Sequence, residues 1–268
     1  MLLPTYNCAT LVRATLESVK WADEILVVDS HSTDETLEVC QQYEARILQH
    51  EYVNSARQKN WAVTQCEHEW VLQIDSDETL GPGLQEEIKN AIASASPDVH
   101  LFRIPRKNHM LGRWLRYGGN FPDYQTRLFR RNQGRWNERE VHAHLVVTGK
   151  VQTLQHCILH NNMPHISKEL RNLDRYTRYE ADELRKQSRG FRWHHLVIRP
   201  WAVFLHRYFW LQGFRDGWRG FIYAVHMAMY VFTSRAKLWE MEELGLERSP
   251  QEPRVSEHSL KHFQSGPN

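Results

Sequence analysis

Short apolar runs alternate with stretches of helical period through the first third of the chain. Residues 25–28, Ile-Leu-Val-Val, form a continuous apolar run, as parallel strands do when both of their faces are buried. Between Ala9 and Val19 the apolar positions recur every three to four residues, which predicts a helix. Further strands are predicted at residues 2–7, 46–48 and 70–74, and further helices at residues 34–44, 55–64 and 84–93. This order predicts an α/β fold with an open, mostly parallel sheet flanked by helices.

Polar residues follow three of the predicted strands at the points where those strands end. They are Thr5, Asn7, Asp29, Asp75 and Asp77. Ligands of open α/β sheets bind beyond the carboxyl ends of the strands. The sequence therefore predicts that three separate polar turns meet at one crevice, which favours a nucleotide-binding site.

The turn Asp75-Ser76-Asp77-Glu78 concentrates carboxylates in four residues. Such carboxylates repel one another unless a cation lies among them. Their oxygens suit a hard divalent ion such as Mg²⁺ or Mn²⁺, which commonly also holds substrate phosphates. The alternative is that an Asp or the Ser of this turn caps the helix that follows.

Several motifs occur in an order that resembles the family 2 glycosyltransferases of the GT-A fold. In the first half they are Pro4-Thr5-Tyr6-Asn7, Val27-Val28-Asp29-Ser30 with Ser32-Thr33-Asp34, Gln58-Lys59-Asn60 and Asp75-Ser76-Asp77-Glu78. Further on they are residues 118–124, Arg127-Leu128-Phe129-Arg130-Arg131, Val141-His142 and residues 213–217. The later motifs are similar to one branch, the lipopolysaccharide core β-glycosyltransferases. The resemblance covers roughly residues 1 to 240.

The resemblance implies a donor-binding role for the residues of the first motifs. Asp29 would bind the nucleotide base, Thr5 and Asn7 would line its pocket, and Lys59 would lie near the nucleotide or its phosphates. The simpler alternatives are that Asp29 caps the next helix and that Lys59 is a solvated helix residue.

The resemblance also implies a metal site. Asp75 and Asp77 would bridge the ribose, a Mg²⁺ or Mn²⁺ ion and the diphosphate, with Asp77 the more direct ligand. His160, after the apolar pair Ile158-Leu159, would complete the metal shell. The alternative for His160 is a purely structural role.

An inverting transfer needs a base, because the acceptor hydroxyl loses its proton as it attacks the sugar. Asp123 is the first candidate, since it lies in a loop punctuated by Gly118, Gly119 and Pro122. The alternative is that Asp123 pairs with Arg127 and orders the turn.

The related branch carries Val-His-Glu where this chain has Val141-His142-Ala143. If that glutamate is the base of the branch, then His142, His144 or Glu140 replaces it here, or the protein is impaired. The alternative to an enzyme is therefore a catalytically silent scaffold protein at a membrane.

Charge is divided unevenly along the chain. Residues 1–100 hold 6 Lys and Arg against 17 Asp and Glu, whereas residues 101–235 hold 24 against 9. An acidic half that holds a metal, beside a basic half, fits an anionic acceptor or an anionic membrane surface. Arg127, Arg130 and Arg131 flank the candidate loop and are predicted to hold phosphate or acceptor by forked hydrogen bonds. No nucleic-acid-binding module is recognisable, so no nucleic acid partner is expected.

The C-terminal third is predicted to be helical. An amphipathic helix over residues 168–187 is predicted by a stripe of residues at three- and four-residue steps, Leu170, Leu173, Thr177, Ala181 and Leu184. Residues 193–240 are crowded with aromatic residues that arginines interrupt, and the longest uncharged run, residues 220–234, is too short to span a bilayer. Such a helix lies in the headgroup region of a membrane, or packs on the catalytic domain or a second subunit.

These observations predict a catalytic domain at residues 1–165, a helical extension at 166–244 and a disordered tail at 245–268. Four cysteines without C-x-x-C spacing indicate neither a zinc site nor a disulfide framework. No signal peptide is visible, so the expected location is the cytoplasm, with peripheral contact to the inner membrane. The first strand is short for the family, so the sequence is expected to be truncated at its start.

The predicted function is inverting transfer of a hexose, glucose first among the candidates, from a UDP-sugar to a lipopolysaccharide-core-like anionic acceptor. The same fold with a polyprenyl-phosphate, another polysaccharide or a peptide as acceptor is the enzyme alternative. Oligomeric state is left open.

Overall fold

A computed structural model describes residues 1–137, 144–163, 165–187 and 190–245 of the chain. The strands of these residues, β1 to β12 in chain order, are Leu2–Thr5, Leu26–Asp29, Arg46–Gln49, Trp70–Leu72, Glu78–Leu80, Val99–Met110, Arg113–Trp114, Asp123–Arg130, Gly134–Trp136, Leu145–Val147, Lys150–Thr153 and Ile158–Met163. The α-helices, α1 to α7, are Ala9–Val19, Thr36–Gln41, Ser55–Thr64, Leu84–Ser94, Ile166–Lys186, His194–Leu205 and Gly217–Glu243. The four helices predicted in the first third are therefore confirmed, with α2 shorter than expected.

The described chain forms two compact units. The first contains Met1–Arg106 and Tyr124–His160, and the second contains Lys107–Asp123 together with the described residues from Asn161 onward. The boundary predicted after residue 165 differs from this division, because residues 107–123 group with the C-terminal helices. The predicted tail at residues 245–268 lies, beyond Gly245, outside the described residues.

The first unit begins with a parallel sheet in the order β1-β2-β3. In this sheet Thr5 pairs with Asp29, and Asp29 with Gln49, so the carboxyl ends of all three strands are level. A parallel bridge between Leu2 and Gln73 places the chain after β4 beside β1. The three polar turns predicted to meet therefore follow neighbouring parallel strands.

Both faces of this parallel sheet are buried, as the unbroken apolar run of β2 predicts. Leu26 and Val28 pack on one side with residues of α3, and Val27 packs on the other with residues of α1 and α2. Successive side chains of a strand point to opposite faces, so an all-apolar strand needs a helix layer on each side.

The second sheet, in the order β4-β8-β6-β12-β5 with β7 and β11 beside β6, is mixed. The β4–β8 and β12–β5 pairs are antiparallel, whereas the β11–β6 pair is parallel. The predicted mostly parallel sheet is therefore correct for β1 to β3, which the parallel bridge at Gln73 extends by one position, and too simple beyond them. The strand–helix alternation that indicated parallel pairing ends at α4, after which strands follow one another without intervening helices.

In the second unit, α5 and α6 both pack against α7. Ala181 and Leu184 of α5 meet Leu238 of α7, as the predicted amphipathic stripe requires. The Asp216 carboxylate accepts hydrogen bonds from the backbone N–H groups of Arg116 and Tyr117, at 3.0 and 2.8 Å. These bonds tie residues 107–123 to the helices. Among the described residues, no helix is long and apolar enough to cross a membrane.

Gly220, near the start of α7, lies against the backbone of the turn at Gly213. A Cβ on Gly220 would come within 1.9 Å of the Gly213 carbonyl oxygen, which cannot rotate away as a side chain does. We expect Gly220→Ala to cost about 1–2 kcal/mol, because overpacking of about 1–3 kcal/mol exceeds the roughly 1 kcal/mol gain in helix propensity. Thermal or urea unfolding followed by circular dichroism measures the change.

Gly190→Ala is the matched control, since the nearest atom to its added Cβ is 4.0 Å away. Equal stability of the two variants would contradict the close approach of α7 to the Gly213 turn.

Candidate active site

The Asp29 carboxylate, at the end of β2, organises the first polar turn. Asp29 is fully buried. Its Oδ1 accepts hydrogen bonds from Thr5 Oγ1 at 3.0 Å and Ser32 Oγ at 2.5 Å, and its Oδ2 accepts one from the Ser32 N–H at 2.7 Å. Asp29 does not cap α2, which begins at Thr36 with Glu35 as its N-cap residue. Thr5 and Asp29, predicted to share a site, are thus in direct contact.

Asn7 adopts a left-handed backbone conformation, with φ of 43°, in the turn after β1. Its Oδ1 accepts a hydrogen bond from the Thr33 N–H at 2.8 Å, which joins the turns after β1 and β2. Its Nδ2 is buried and has no hydrogen-bond partner in the described part of the chain. A buried donor without a partner calls for an explanation, and a bound ligand supplies one.

Gln58 of α3 is a buried residue of the same edge that sequence reasoning did not assign. Its Nε2 donates to Ser30 Oγ at 2.8 Å, while its Oε1 is buried without a partner among the described residues. His50 Nδ1, just after β3, is likewise buried without a hydrogen-bond partner among the described residues. The His50 ring stacks on Trp61 with the ring centroids 3.9 Å apart. The position of Gln58 beside Lys59 in a recognised motif was the available signal.

Asp75 lies in a network of ion pairs beyond β4. Arg127 Nη2 bonds to Asp75 Oδ2, and Lys59 Nζ lies 3.4 Å from Asp75 Oδ1. Gln73 Nε2 also donates to Asp75 Oδ1, at 2.8 Å. The side chain of Asp75 remains 33% exposed, so it faces solvent on one side and the cations on the other.

Glu78 is the fully buried carboxylate of this network. Its Oε1 accepts hydrogen bonds from Arg127 at 2.6 Å and Arg106 at 2.8 Å. Its Oε2 accepts one from the Asp75 N–H at 3.2 Å. Sequence reasoning counted Glu78 among carboxylates that need a cation, and the cations it receives are arginines.

Strand register explains why Arg127 reaches Asp75. β8 pairs antiparallel with β4, and the Gln73 N–H donates to the Arg127 carbonyl at 2.8 Å just beyond that pairing. The Arg127 side chain therefore starts opposite Gln73 and extends to the turn. Arg127 was expected to bind phosphate or acceptor, whereas the structure gives its guanidinium three protein partners, Gln73, Asp75 and Glu78.

The network fixes the protonation states of Asp75 and Arg127. Burial alone raises the pKa of Asp75, but the opposing charges of Arg127 and Lys59 outweigh it and hold that pKa well below its ordinary value. Burial lowers the pKa of Arg127, and the charges of Asp75 and Glu78 more than reverse this effect. Asp75 is consequently ionised at neutral pH and available to a cation.

Asp77 and His160 lie together at the end of the same turn. β12 pairs antiparallel with β5 so that His160 is directly opposite Glu78, one residue from Asp77. His160 Nε2 is 3.6 Å from Asp77 Oδ1, with the two side chains 12% and 25% exposed. The predicted pairing of Asp77 with a histidine 83 positions later in the sequence thus has a basis in strand register.

These donors fit a hard divalent ion only in part. Carboxylate oxygens and an imidazole nitrogen are suitable ligands, and Asp77 and His160 are near enough to share one ion. Among the residues that the structure describes, no group of three or more His, Cys, Asp and Glu side chains is arranged as a metal shell.

Arg130 and Arg131 do not contact the carboxylates of the Asp75–Glu78 turn in the described structure. Arg130 bonds to Glu69 and donates from Nε to the Val99 carbonyl at 2.9 Å, and Arg131 bonds to the Cys66 carbonyl. Glu69 and Cys66 lie before β4, about 20 and 30 Å along an extended chain from Asp75, and Val99 is the first residue of β6. The structure therefore does not bring either arginine to the carboxylate turn, although both flank Arg127 in sequence.

Asp123 and the candidate histidines complete the predicted set. Asp123 belongs to the second unit, where Asn108 Nδ2 donates to its Oδ2 at 2.9 Å. His144 is exposed, and its ring lies 3.1 Å from Asn137 Nδ2 at the base of the β9–β10 hairpin. His142, Glu140 and Ala143 lie outside the described residues.

Comparison with known proteins decides the family. The sequence profile of Glycosyl transferase family 2 matches residues 1–149, more than half of the chain. The chain belongs to glycosyl transferase family 2. This glycosyltransferase is 29% identical over 236 residues to the lipopolysaccharide core biosynthesis glycosyltransferase LpsC of Rhizobium meliloti, covering 85% of this chain and 87% of LpsC. It is 27% identical over 251 residues to an uncharacterized glycosyltransferase of Rickettsia typhi, covering 88% and 85%.

The fold comparison agrees. The mannosyltransferase PcManGT of Pyrobaculum calidifontis, solved with GDP-Man and Mn²⁺, matches with a TM-score of 0.53 at 14% identity, covering 89% of this chain and 86% of the other. The predicted GT-A fold of this glycosyltransferase is confirmed.

Removal of the Arg127 guanidinium tests the network. In Arg127→Met, the buried Glu78 loses its closest partner and Asp75 loses its main counter-charge, which we expect to cost about 3–5 kcal/mol in the free energy of unfolding. Urea denaturation measures the loss. In the double variant with Glu78→Gln, part of it should return, because the unpaired buried charge is gone.

Lys150→Met is the control, since Lys150 and its partner Asp98 are largely exposed and such pairs contribute about 0–1 kcal/mol. A loss no larger in Arg127→Met than in Lys150→Met would show that the network does not stabilise the site.

Proposed function

We propose that this glycosyltransferase transfers a hexose, with inversion, from a UDP-sugar to a cell-envelope acceptor of the lipopolysaccharide core type. The observation that carries the donor part is the group of charged side chains at one strand edge: Asp75 with Lys59 and Arg127, and Asp77 with His160. This group combines carboxylates for a divalent ion with a lysine for phosphate.

The nucleoside would occupy the turns after β1 and β2. The unpartnered buried atoms Asn7 Nδ2 and Gln58 Oε1 are a donor and an acceptor, and a pyrimidine base offers both complements on one edge. Thr5 supports Asp29 in that pocket. The sequence-based assignment of Asp29 to the base is kept, with Gln58 added to it.

The diphosphate would lie between Lys59 and Asp77. Mg²⁺ or Mn²⁺ held by Asp77 and His160, with Asp75 beside them, would neutralise charge on the leaving diphosphate. Lys59, whose Nζ is 3.4 Å from Asp75, adds a fixed positive charge on the same side. Arg127 acts in this proposal as a positioning residue for Asp75, since its guanidinium is buried against Glu78.

The chemical step is one displacement at the anomeric carbon. The acceptor oxygen forms a bond to that carbon as the bond to the diphosphate oxygen breaks, and the hydroxyl proton passes to a carboxylate. Asp123 is the proposed base, and the hydrogen bond from Asn108 fixes the orientation of its carboxylate. The products are the glycosylated acceptor and UDP.

The proposed acceptor class is supported by the relative LpsC, which is named for lipopolysaccharide core biosynthesis. The charge distribution supports it, because residues 101–235 carry 24 Lys and Arg against 9 Asp and Glu. A basic half favours an anionic acceptor molecule or an anionic surface.

Peripheral contact with a membrane surface is part of the proposal. The large apolar side chains exposed between residues 193 and 218 are Trp193, Val197, Ile198, Trp201, Leu205, Phe209, Trp210, Phe214 and Trp218. Residues 190–215 also include four arginines and no Asp or Glu. Aromatic side chains with interspersed arginines suit the headgroup region of an anionic bilayer, where the acceptor lipid would reside.

The donor site is tested by calorimetric titration of UDP-glucose, UDP-galactose and UDP-N-acetylglucosamine with and without Mn²⁺. We expect metal-dependent binding of one donor, weakened about tenfold or more by Asp77→Asn and by His160→Ala, because each removes a metal ligand. His156→Ala is the matched control, since His156 is exposed and pairs with Glu87. Metal-independent binding, or equal effects of His160→Ala and His156→Ala, would refute the assignment.

Membrane contact is tested by flotation with vesicles of anionic and of neutral lipid. We expect binding to anionic vesicles, reduced about tenfold by the double change Trp210→Ser and Trp218→Ser, since these indoles are 79% and 80% exposed. Trp239→Ser, which alters an exposed tryptophan outside residues 193–218, should leave binding unchanged. Equal flotation of all three proteins would contradict the proposal.

A further inference from the structure

A cavity of about 120 Å³ lies within the second unit. Its lining residues come from the β6–β7 region, the loop before β8, the end of β12, and helices α5 and α7. They are Asn108, His109, Met110, Leu115, Asn120, Met163, Glu169, Tyr223, His226 and Met227. A water-sized group needs roughly 10–15 Å³ by this measure, so the cavity admits roughly ten such groups, the size class of one hexose unit.

The cavity is next to the proposed base. Asn108, which lines the cavity, donates its Nδ2 hydrogen to Asp123 Oδ2 at 2.9 Å. Tyr223 of α7 is also close enough to interact with that carboxylate. Burial raises the pKa of the Tyr223 hydroxyl, the charge of Arg207 lowers it, and the charges of Asp123 and Glu169 raise it. A hydroxyl group held in the cavity is therefore near a carboxylate that can accept its proton.

The lining has the two-sided chemistry of a sugar site. Met110, Leu115, Met163 and Met227 give it an apolar wall, and the remaining residues offer amide, imidazole, phenol and carboxylate groups. A pyranose ring presents apolar C–H faces and hydroxyls that both donate and accept. Small-ligand sites typically combine an apolar lining with a few convergent polar groups of this kind.

Glu169 is the carboxylate in the wall of the cavity. Its Oε2 lies 3.7 Å from His226 Nε2, with the side chains only 12% and 16% exposed. Burial lowers the pKa of His226, so its imidazole is neutral at neutral pH. Arg207 lies next to this wall, since its Nη1 is 3.3 Å from the Tyr223 hydroxyl oxygen.

We propose that this cavity is the subsite for an uncharged, hydroxylated sugar ring of the acceptor, and that Glu169 excludes phosphorylated rings from it. Glu169 accepts hydrogen bonds from ring hydroxyls, and its charge repels a phosphate at the same position. The inference rests on the proposed function. It also divides the acceptor: the ring that is glycosylated is neutral, and any anionic groups bind elsewhere on the protein.

The test uses the methionine methyl groups as probes. The chain has six methionines, of which Met110, Met163 and Met227 line the cavity, whereas Met1, Met229 and Met241 do not. The full-length protein, labelled with ¹³C-methyl methionine, is titrated with methyl α-mannoside, methyl β-glucoside and methyl β-galactoside, and with their 6-phosphates. Concentrations extend to about 0.1 M, because isolated sugars bind in the millimolar range.

We expect at least one neutral glycoside to shift the three lining methyls and not the other three, and its 6-phosphate to bind at least tenfold more weakly. In Glu169→Gln, the neutral glycoside should bind severalfold more weakly and the discrimination against phosphate should disappear. Glu240→Gln, which changes an exposed glutamate of α7, should behave as wild type. The dispersion of the methyl spectrum itself reports whether each variant is folded.

Two results would overturn the inference: no shift of the lining methyls with any neutral glycoside, or phosphorylated glycosides that bind as tightly as neutral ones. The titration needs no donor, so its outcome is separate from the calorimetry of UDP-sugars. Lining shifts in a protein that binds no UDP-sugar would count against the proposed function alone.

Discussion

The structure of the donor side depends on one buried interaction, the guanidinium of Arg127 held between Glu78 and Asp75. Glu78 is completely buried, so its charge is tolerable only because Arg127 and Arg106 both bond to it. Arg127 in turn keeps Asp75 ionised. Buried ion pairs seldom add net stability over apolar residues of the same size, because desolvation offsets the attraction. The arrangement is better explained by the carboxylate geometry that it imposes at the strand edge.

Two antiparallel pairings assemble this edge from distant parts of the chain. The β4–β8 pairing places Arg127 opposite Gln73, and the β5–β12 pairing places His160 opposite Glu78. A shift of one residue in either register would turn these side chains to the other face of the sheet. Thr15 of α1 adds a third restraint, since its hydroxyl lies 3.0 Å from the Ser76 carbonyl and 2.8 Å from the Glu78 carbonyl.

The sequence predicted what local pattern determines. The bounds predicted for α1 and α3 are correct to the residue. The polar strand ends located Asp29 and the Asp75 turn, because parallel strands bring their carboxyl ends to one side. The sequence pattern did not predict which partners the individual arginines bind. Arg127 and Arg130 are three positions apart on one strand, yet one bonds to Asp75 and the other to Glu69, and only the antiparallel partner strand determines which. Unpartnered atoms such as Gln58 Oε1 likewise depend on packing that no local pattern encodes.

The charges of the two units bear on how one protein would bind the two anionic substrates of the proposed transfer. In the first unit, Lys59 and Arg127 lie among carboxylates, so a diphosphate would be stabilised there chiefly by a cation shared with Asp77 and His160. In the second unit, residues 190–215 include four arginines and no Asp or Glu, while the cavity beside Asp123 is lined by the carboxylate of Glu169. A base works on a neutral hydroxyl, since a phosphate beside it would compete for the same space and repel the carboxylate. The proposed attraction of anionic groups at the surface is therefore compatible with the proposed repulsion of a phosphate in the cavity.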